Sequence, residues 1–145
     1  DFGEPNESPT RGYRLNDNST IGCPTGDEFK TLSESHSTWL CANESADWYS
    51  ATVYPCESTS FDFEATVTPK NECSRELWRA APSNYACSDG NISCGWEGES
   101  YVVRRVIEPG RSGMSYYFGI EKITDSLESE QEVQLEYDVT FETRQ

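Results

Sequence analysis

Few side chains in this 145-residue chain are equipped for covalent or acid/base chemistry, and they are easily enumerated: one histidine, His36, six cysteines and twenty-six acidic residues. A single histidine rules out a two-histidine catalytic pair. What remains is His36 working with a carboxylate or an arginine, the arrangement a secreted hydrolase or ribonuclease would need. A lone histidine at an apolar position is more often a packed or capping side chain than a catalyst. Paired carboxylates of the glycosidase type are offered by Glu97 with Glu99 and by Glu132 with Glu136. Among so many acids such pairs arise without function, as the solvated face of a strand. There is no G-x-S-x-G elbow and no glycine-rich phosphate loop. No catalytic residue and no cofactor is assigned.

The cysteines Cys23, Cys41, Cys56, Cys73, Cys87 and Cys94 form an even set without C-x-x-C knuckles. That pattern reads as three disulfides in an oxidising compartment rather than as a metal site, for which one histidine is poor support. Spacing leaves the pairing open among fifteen connectivities, Cys87 with Cys94 being the easiest closure. Four Asn-x-Ser/Thr sequons, at Asn6, Asn18, Asn43 and Asn91, add candidate glycosylation sites and favour a eukaryotic secretory route.

Charge narrows the choice of partner. Eleven basic against twenty-six acidic residues give a net charge of −15, a field that repels nucleic-acid phosphates and anionic lipid headgroups. The expected partner is a protein, with no nucleic acid and no membrane, and the expected state is a monomer. No apolar run approaches the roughly 20 residues that a membrane helix needs, and nothing at the N-terminus reads as a signal peptide, so a soluble chain with any targeting segment already removed is expected. The charge is uneven. Residues 1–69 carry 3 basic and 12 acidic groups (−9), residues 70–111 carry 6 of each, and residues 112–145 carry 2 and 8 (−6). The neutral middle holds Arg75, Arg79, Arg104, Arg105 and Arg111. Arg104, Arg105 and Arg111 are the candidate binding residues, Arg111 at the tip of a Pro-Gly turn. Their commoner role would be to neutralise nearby acids. Among the aromatics, Trp48 with Tyr49, Trp96, and Tyr116 with Tyr117 could stack on sugars, as in a carbohydrate-binding module, though such side chains more often fill a core.

The elements that must position these residues follow from periodicity. Residues 1–22 are polar, with few large apolar groups, and read as an extended arm pinned near Cys23, ahead of a single domain over 23–145. Thr25-Gly-Asp-Glu28 fits a capping box, and Phe29, Leu32, His36, Trp39 and Leu40 recur at helical spacing, predicting a helix over about 26–40. Asn71 caps a second predicted helix over 72–81. Strands are predicted over 47–54, over 61–68 where Phe61, Phe63, Ala65 and Val67 alternate with polar residues, and over 101–107 and 114–120, which the Glu108–Gly113 turn joins as a hairpin. The last strand alternates Val133, Leu135, Tyr137, Val139 and Phe141 with acids and amides, giving one covered and one wet face. The expected class is α+β: an antiparallel sheet of four or five strands with two or three helices packed on one face. An all-β sandwich is the alternative, favoured if 26–40 is extended.

A cysteine-bearing secreted chain of this size, with Trp78-Arg79 in the run Leu77-Trp-Arg-Ala80, resembles the fungal apoplastic effectors. In outline it is similar to the LARS structural family, which includes Leptosphaeria avirulence proteins and an extracellular protein of the tomato leaf-mould fungus. Here Ala80 and Ala81 stand where that family's Trp-Arg motif continues with a larger apolar residue and a second arginine. The resemblance implies a helix-covered, disulfide-tied antiparallel sheet, no catalysis, and recognition by host resistance proteins. It would make the chain a virulence factor of the host apoplast that binds a plant extracellular protein or immune receptor, with Trp78 and Arg79 structural.

Overall fold

The computed structural model describes residues 13–16, 20–24, 33–40, 46–70, 78–82, 90–122 and 135–145. Nine strands run through them: β1 (Tyr13–Arg14), β2 (Ser33–Leu40), β3 (Ala46–Val53), β4 (Phe61–Pro69), β5 (Trp78–Pro82), β6 (Ile92–Glu97), β7 (Ser100–Ile107), β8 (Met114–Lys122) and β9 (Leu135–Arg144). They form two sheets, ordered β1-β3-β8-β5 and β2-β9-β4-β7-β6. Every pairing is antiparallel except β1 with β3.

No helix occurs among the described residues, which overturns the α+β class and leaves the all-β sandwich. Residues 33–40 of the predicted first helix are strand β2, paired along its whole length with β9 from Ser33↔Glu142 to Leu40↔Leu135. The physical reason lies in that pairing. Ser33, Ser35 and Ser37 face water while Glu34, His36 and Thr38 turn inward, a period of two; Ser and Thr contribute little to a helix, and the ladder with β9 decides. Residues 25–32, with the capping box, lie outside the described residues. The second predicted helix fails in the same way: residues 78–82 form β5, registered against β8 from Trp78↔Lys122 to Pro82↔Phe118. Pro82 is accommodated because β5 is an edge strand. The expected 101–107/114–120 hairpin is also absent, since β7 and β8 belong to different sheets and residues 108–113 carry the chain from one to the other.

The alternating strands behave as their patterns require. Phe61, Phe63, Ala65 and Val67 of β4 and Tyr137, Val139 and Phe141 of β9 are all buried. They meet Tyr49, Ala51, Val53, Phe118 and Ile120 of the opposite sheet. Phe141 packs against Tyr49 at 5.0 Å and edge-on to Phe118 at 5.7 Å between ring centroids. On the other face of the first sheet, Trp48 lies over Gly119, where a Cβ would stand 2.6 Å from its ring. The polar-looking first segment also enters the sandwich. Leu15 and Ile21 are buried, Leu15 N–H donates to Ser50 O (2.9 Å), and Ile21 exchanges bonds with Thr52 and Tyr54 (both 2.8 Å). Asn16 makes the intervening bend at φ 60°, a region asparagine tolerates.

One polar chain crosses the apolar interface. Asp47 of β3, with no exposed surface, accepts a 2.7 Å hydrogen bond from the Tyr137 hydroxyl of β9, and the Tyr137 and Tyr49 hydroxyls are 2.7 Å apart. Among the described residues every buried side-chain nitrogen and oxygen has a hydrogen-bond partner. Burial pushes the Tyr137 phenol well above its ordinary value of 10.0, with the electrostatic influence of the neighbouring Tyr49 and Asp47 adding to the effect. Below that ordinary value the proton is on the phenol in both the folded and unfolded chain. Above it the unfolded chain releases a proton that the folded one keeps, so stability falls as the pH rises. Tyr137→Phe is expected to cost about 1–3 kcal/mol in urea unfolding at pH 7, through the donor lost to Asp47. It should also flatten the alkaline decline of the unfolding midpoint expected of the parent protein above the ordinary tyrosine value.

Candidate functional site at the disulfide end of the sandwich

The three arginines singled out in the sequence do not share a surface. Arg104 and Arg105 are neighbours on β7 and point to opposite faces. Arg104 lies on the wet face of the second sheet, where its Nε donates to Glu64 (2.8 Å) and its terminal nitrogens donate to Glu97 (2.9 and 3.1 Å). Glu64 is buried, and Arg144 lies 4.0 Å from its other oxygen and 3.3 Å from Glu142. This charge ladder spans β6, β7, β4 and β9. The hydrogen bonds to Glu97 and then Glu64 hold Arg104 above its ordinary value. Its donors are thus engaged within the chain, the neutralising role that arginines commonly take. Arg105 faces inward, its guanidinium 4.1 Å above the centre of the Tyr116 ring on the opposite sheet. Arg111 stands exposed in the 108–113 loop.

His36 does meet a carboxylate. Its Nε2 is 2.5 Å from Glu34 Oε2, two residues along β2. The other Glu34 oxygen accepts the Asn16 backbone N–H (2.8 Å), and Tyr13 sets its ring edge-on to His36 at 5.4 Å. The pair therefore ties the first segment to β2. The paired acids of the glycosidase reading are not presented together: Glu97 binds Arg104, Glu99 is in the β6–β7 turn, and Glu132 lies outside the described residues. Trp48 and Tyr49 are buried and Trp96 packs edge-on to Tyr101 at 5.3 Å, so these rings serve packing. Among the described residues no group of three or more metal-ligating side chains occurs.

Cys23 and Cys56 are joined in a disulfide. Cys94 is disulfide-bonded as well, and Cys41, Cys73 and Cys87 lie outside the described residues. Such bonds suit an oxidising, extracytoplasmic compartment. Of the sequons, Asn91 is exposed at the start of β6, and Asn6, Asn18 and Asn43 lie outside the described residues. Trp78 and Arg79 fall in register opposite Lys122 and Glu121.

Two hollows open among the described residues. One between the sheets, about 30 Å³ and lined by apolar groups such as Ala51, Phe63, Ala65 and Val103, is water-sized and reads as a packing void. The other, about 150 Å³ on the wet face around Gly95, is walled by Glu97 and Arg104, whose polar atoms bind each other.

The strongest convergence is at the disulfide end, where sequence reasoning foresaw only Arg111. Two of the crossings between the sheets, residues 54–60 and 108–113, lie there. Gly110 N–H donates to Cys56 O (3.0 Å), so the second crossing is stapled to a half-cystine of the first. The C-terminal Gln145 donates to Thr59 Oγ1 (3.1 Å) and Ser60 O (3.2 Å). On this frame stand Tyr54, 39 % exposed, and Met114, 52 % exposed, the exposed large hydrophobic residues of the described part, with Arg111 in the loop between β7 and Met114. A Cβ at Gly113 would lie 2.8 Å from Tyr54 Cε2, so the absence of a side chain lets that ring lie close to the loop. The signal in the sequence was the string Tyr54-Pro-Cys56 and the turn Glu108–Gly113, but nothing local said that the two would meet.

No family model matches the chain, and no curated protein does. Among solved structures it is similar to PliG of Aeromonas hydrophila, a periplasmic lysozyme inhibitor of g-type lysozyme. The identity is 12 % and the TM-score 0.37, over 87 % of this chain and 96 % of that one. At that distance the likeness assigns neither a partner nor a site.

Two substitutions separate structural from functional arginines and histidines. Arg104→Ala should cost about 2 kcal/mol, less than the loss of a fully buried pair because the guanidinium is 39 % exposed and Arg144 still reaches Glu64. Adding Glu64→Gln should recover part of that loss in the same denaturation curve. His36→Ala should lower stability by about 1 kcal/mol and leave any hydrolysis of RNA or glycan substrates by the preparation unchanged.

Proposed function

We propose that this chain is a secreted interaction protein, a plant-pathogen effector of the fungal apoplastic kind, which binds a host protein through the disulfide end of its sandwich. The observation that carries the reading is the stapled loop pair, at whose end Tyr54, Met114 and Arg111 are all exposed. Protein interfaces draw their energy from a few aromatic, methionine and arginine anchors held in place before binding. A loop fixed by a disulfide and a backbone hydrogen bond loses little freedom on docking. Arg111 adds a planar donor able to take a partner carboxylate in two parallel bonds. In a molecule of net charge −15, such a cation beside apolar groups is a local exception to the repulsive field. Recognition by a host immune receptor, and residence in the host apoplast, follow from the same reading as the consequence of exposing that rim outside the cell.

The reading is tested by immobilising the protein and capturing components of leaf extracellular fluid, followed by titration of the captured protein against variants. Combined Tyr54→Ala, Met114→Ala and Arg111→Ala should weaken binding by at least about tenfold, as the loss of interface anchors does, with the unfolding midpoint little changed. Gly113→Ala, which displaces the Tyr54 ring without removing a contact group, should give an intermediate loss. Capture that the triple variant retains at full strength would show that the partner docks elsewhere.

A further inference from the structure

We propose that Met114 is a peroxide-sensitive oxidation site at which the Tyr116 hydroxyl selects one sulfoxide epimer, and that its oxidation switches off the rim at the disulfide end. Met114 is the only methionine of the chain and the most exposed of its large described hydrophobic residues, at 52 %. Its sulfur is not surrounded evenly. The Tyr116 O–H, two residues along the same face of β8, donates to Met114 Sδ at 3.8 Å. The Tyr116 ring is in turn held from the opposite sheet by the Arg105 guanidinium 4.1 Å above its centre. One lone pair of the thioether is therefore engaged by a hydroxyl on a fixed ring, and the other is left for attack.

Hydrogen peroxide is the oxidant of this step. The sulfur lone pair attacks one peroxide oxygen, the O–O bond breaks, an S–O bond forms, and the displaced oxygen leaves as water after proton transfer. Sulfur loses two electrons and peroxide gains them. Attack through the unengaged lone pair produces one epimer in excess, and the product is a polar, chiral group where an apolar one stood. A sulfoxide at Met114 replaces an apolar anchor with an acceptor that must be desolvated on docking. That last consequence rests on the binding function proposed above, whereas the sulfur chemistry does not.

The test treats the purified full chain with graded hydrogen peroxide and follows the tryptic peptide Ser112–Lys122 by mass spectrometry. Oxidised protein is then offered to each of the two epimer-specific methionine sulfoxide reductases separately. Met114 should gain one oxygen at a rate within about tenfold of free methionine, and one reductase should remove most of it while the other removes little. Tyr116→Phe should bring the two epimers toward equal amounts. Slower oxidation than that, or equal epimers in the parent protein, overturns the site. In the leaf-fluid capture assay, binding should fall on oxidation and return after reductase treatment. If oxidised protein binds as well as the untreated form, the switch is wrong and the binding surface stands. If untreated protein captures nothing, the binding function fails while the mass and epimer measurements still judge the oxidation site.

Discussion

A carboxylate with no exposed surface can be kept inside an apolar core only if hydrogen bonds replace the water it has lost. Asp47 receives one of those bonds from Tyr137, which belongs to the other sheet. That requirement fixes the two sheets relative to each other in a way that apolar packing alone does not. Phe61, Phe63, Val67 and Phe141 would tolerate small slides, since dispersion is not directional. The Asp47–Tyr137–Tyr49 chain would not, because each oxygen must stand at hydrogen-bond distance from the next. Once the sheets are set, the strand ends are set as well. The crossings of residues 54–60 and 108–113 then emerge at one end, where a disulfide and the Gly110–Cys56 hydrogen bond fasten them.

The division of labour among the polar residues follows from which face of a strand they occupy. On the wet face, acids and arginines neutralise one another in the ladder from Glu97 through Arg104 and Glu64 to Arg144. Between the sheets, Arg105 covers the Tyr116 ring and the Glu34–His36 pair fastens the first segment. Two adjacent residues, Arg104 and Arg105, thus have unrelated duties, because successive side chains of a strand point to opposite faces. The rim at the strand ends is what carries the exposed Tyr54, Arg111 and Met114. There the pleat stops, and the loop conformation rather than the sheet decides what faces outward.

The proposed oxidation chemistry and the proposed binding surface share this architecture. Tyr116 reaches Met114 because both lie on one face of β8, and Tyr116 is held because Arg105 approaches from β7 across the interface. A sulfur on a floppy loop would show neither the exposure nor the asymmetry in a fixed form. The sandwich supplies both by starting β8 with the only methionine of the chain.

Sequence by itself determined the strands whose two-residue alternation is strong. In β4 and β9 every second residue is apolar, and the predicted covered face is the buried one. It also pointed to the oxidising compartment through an even cysteine count, and to Arg111 as an exposed loop residue. It could not assign residues 33–40, where His36, Trp39 and Leu40 continue the helical spacing of Phe29 and Leu32 until an eight-residue ladder with β9 is supplied from far along the chain. Trp78–Pro82 is the same case, extended by pairing with β8. Leu15 and Ile21 were hidden in a polar segment because their burial depends on β3, and the Glu108–Gly113 turn looked like a hairpin because turn chemistry does not record which sheet the next strand joins. Local pattern fixes which face of a strand is apolar. Long-range hydrogen bonding decides whether a weakly patterned segment is a strand at all, and which of its neighbours it meets.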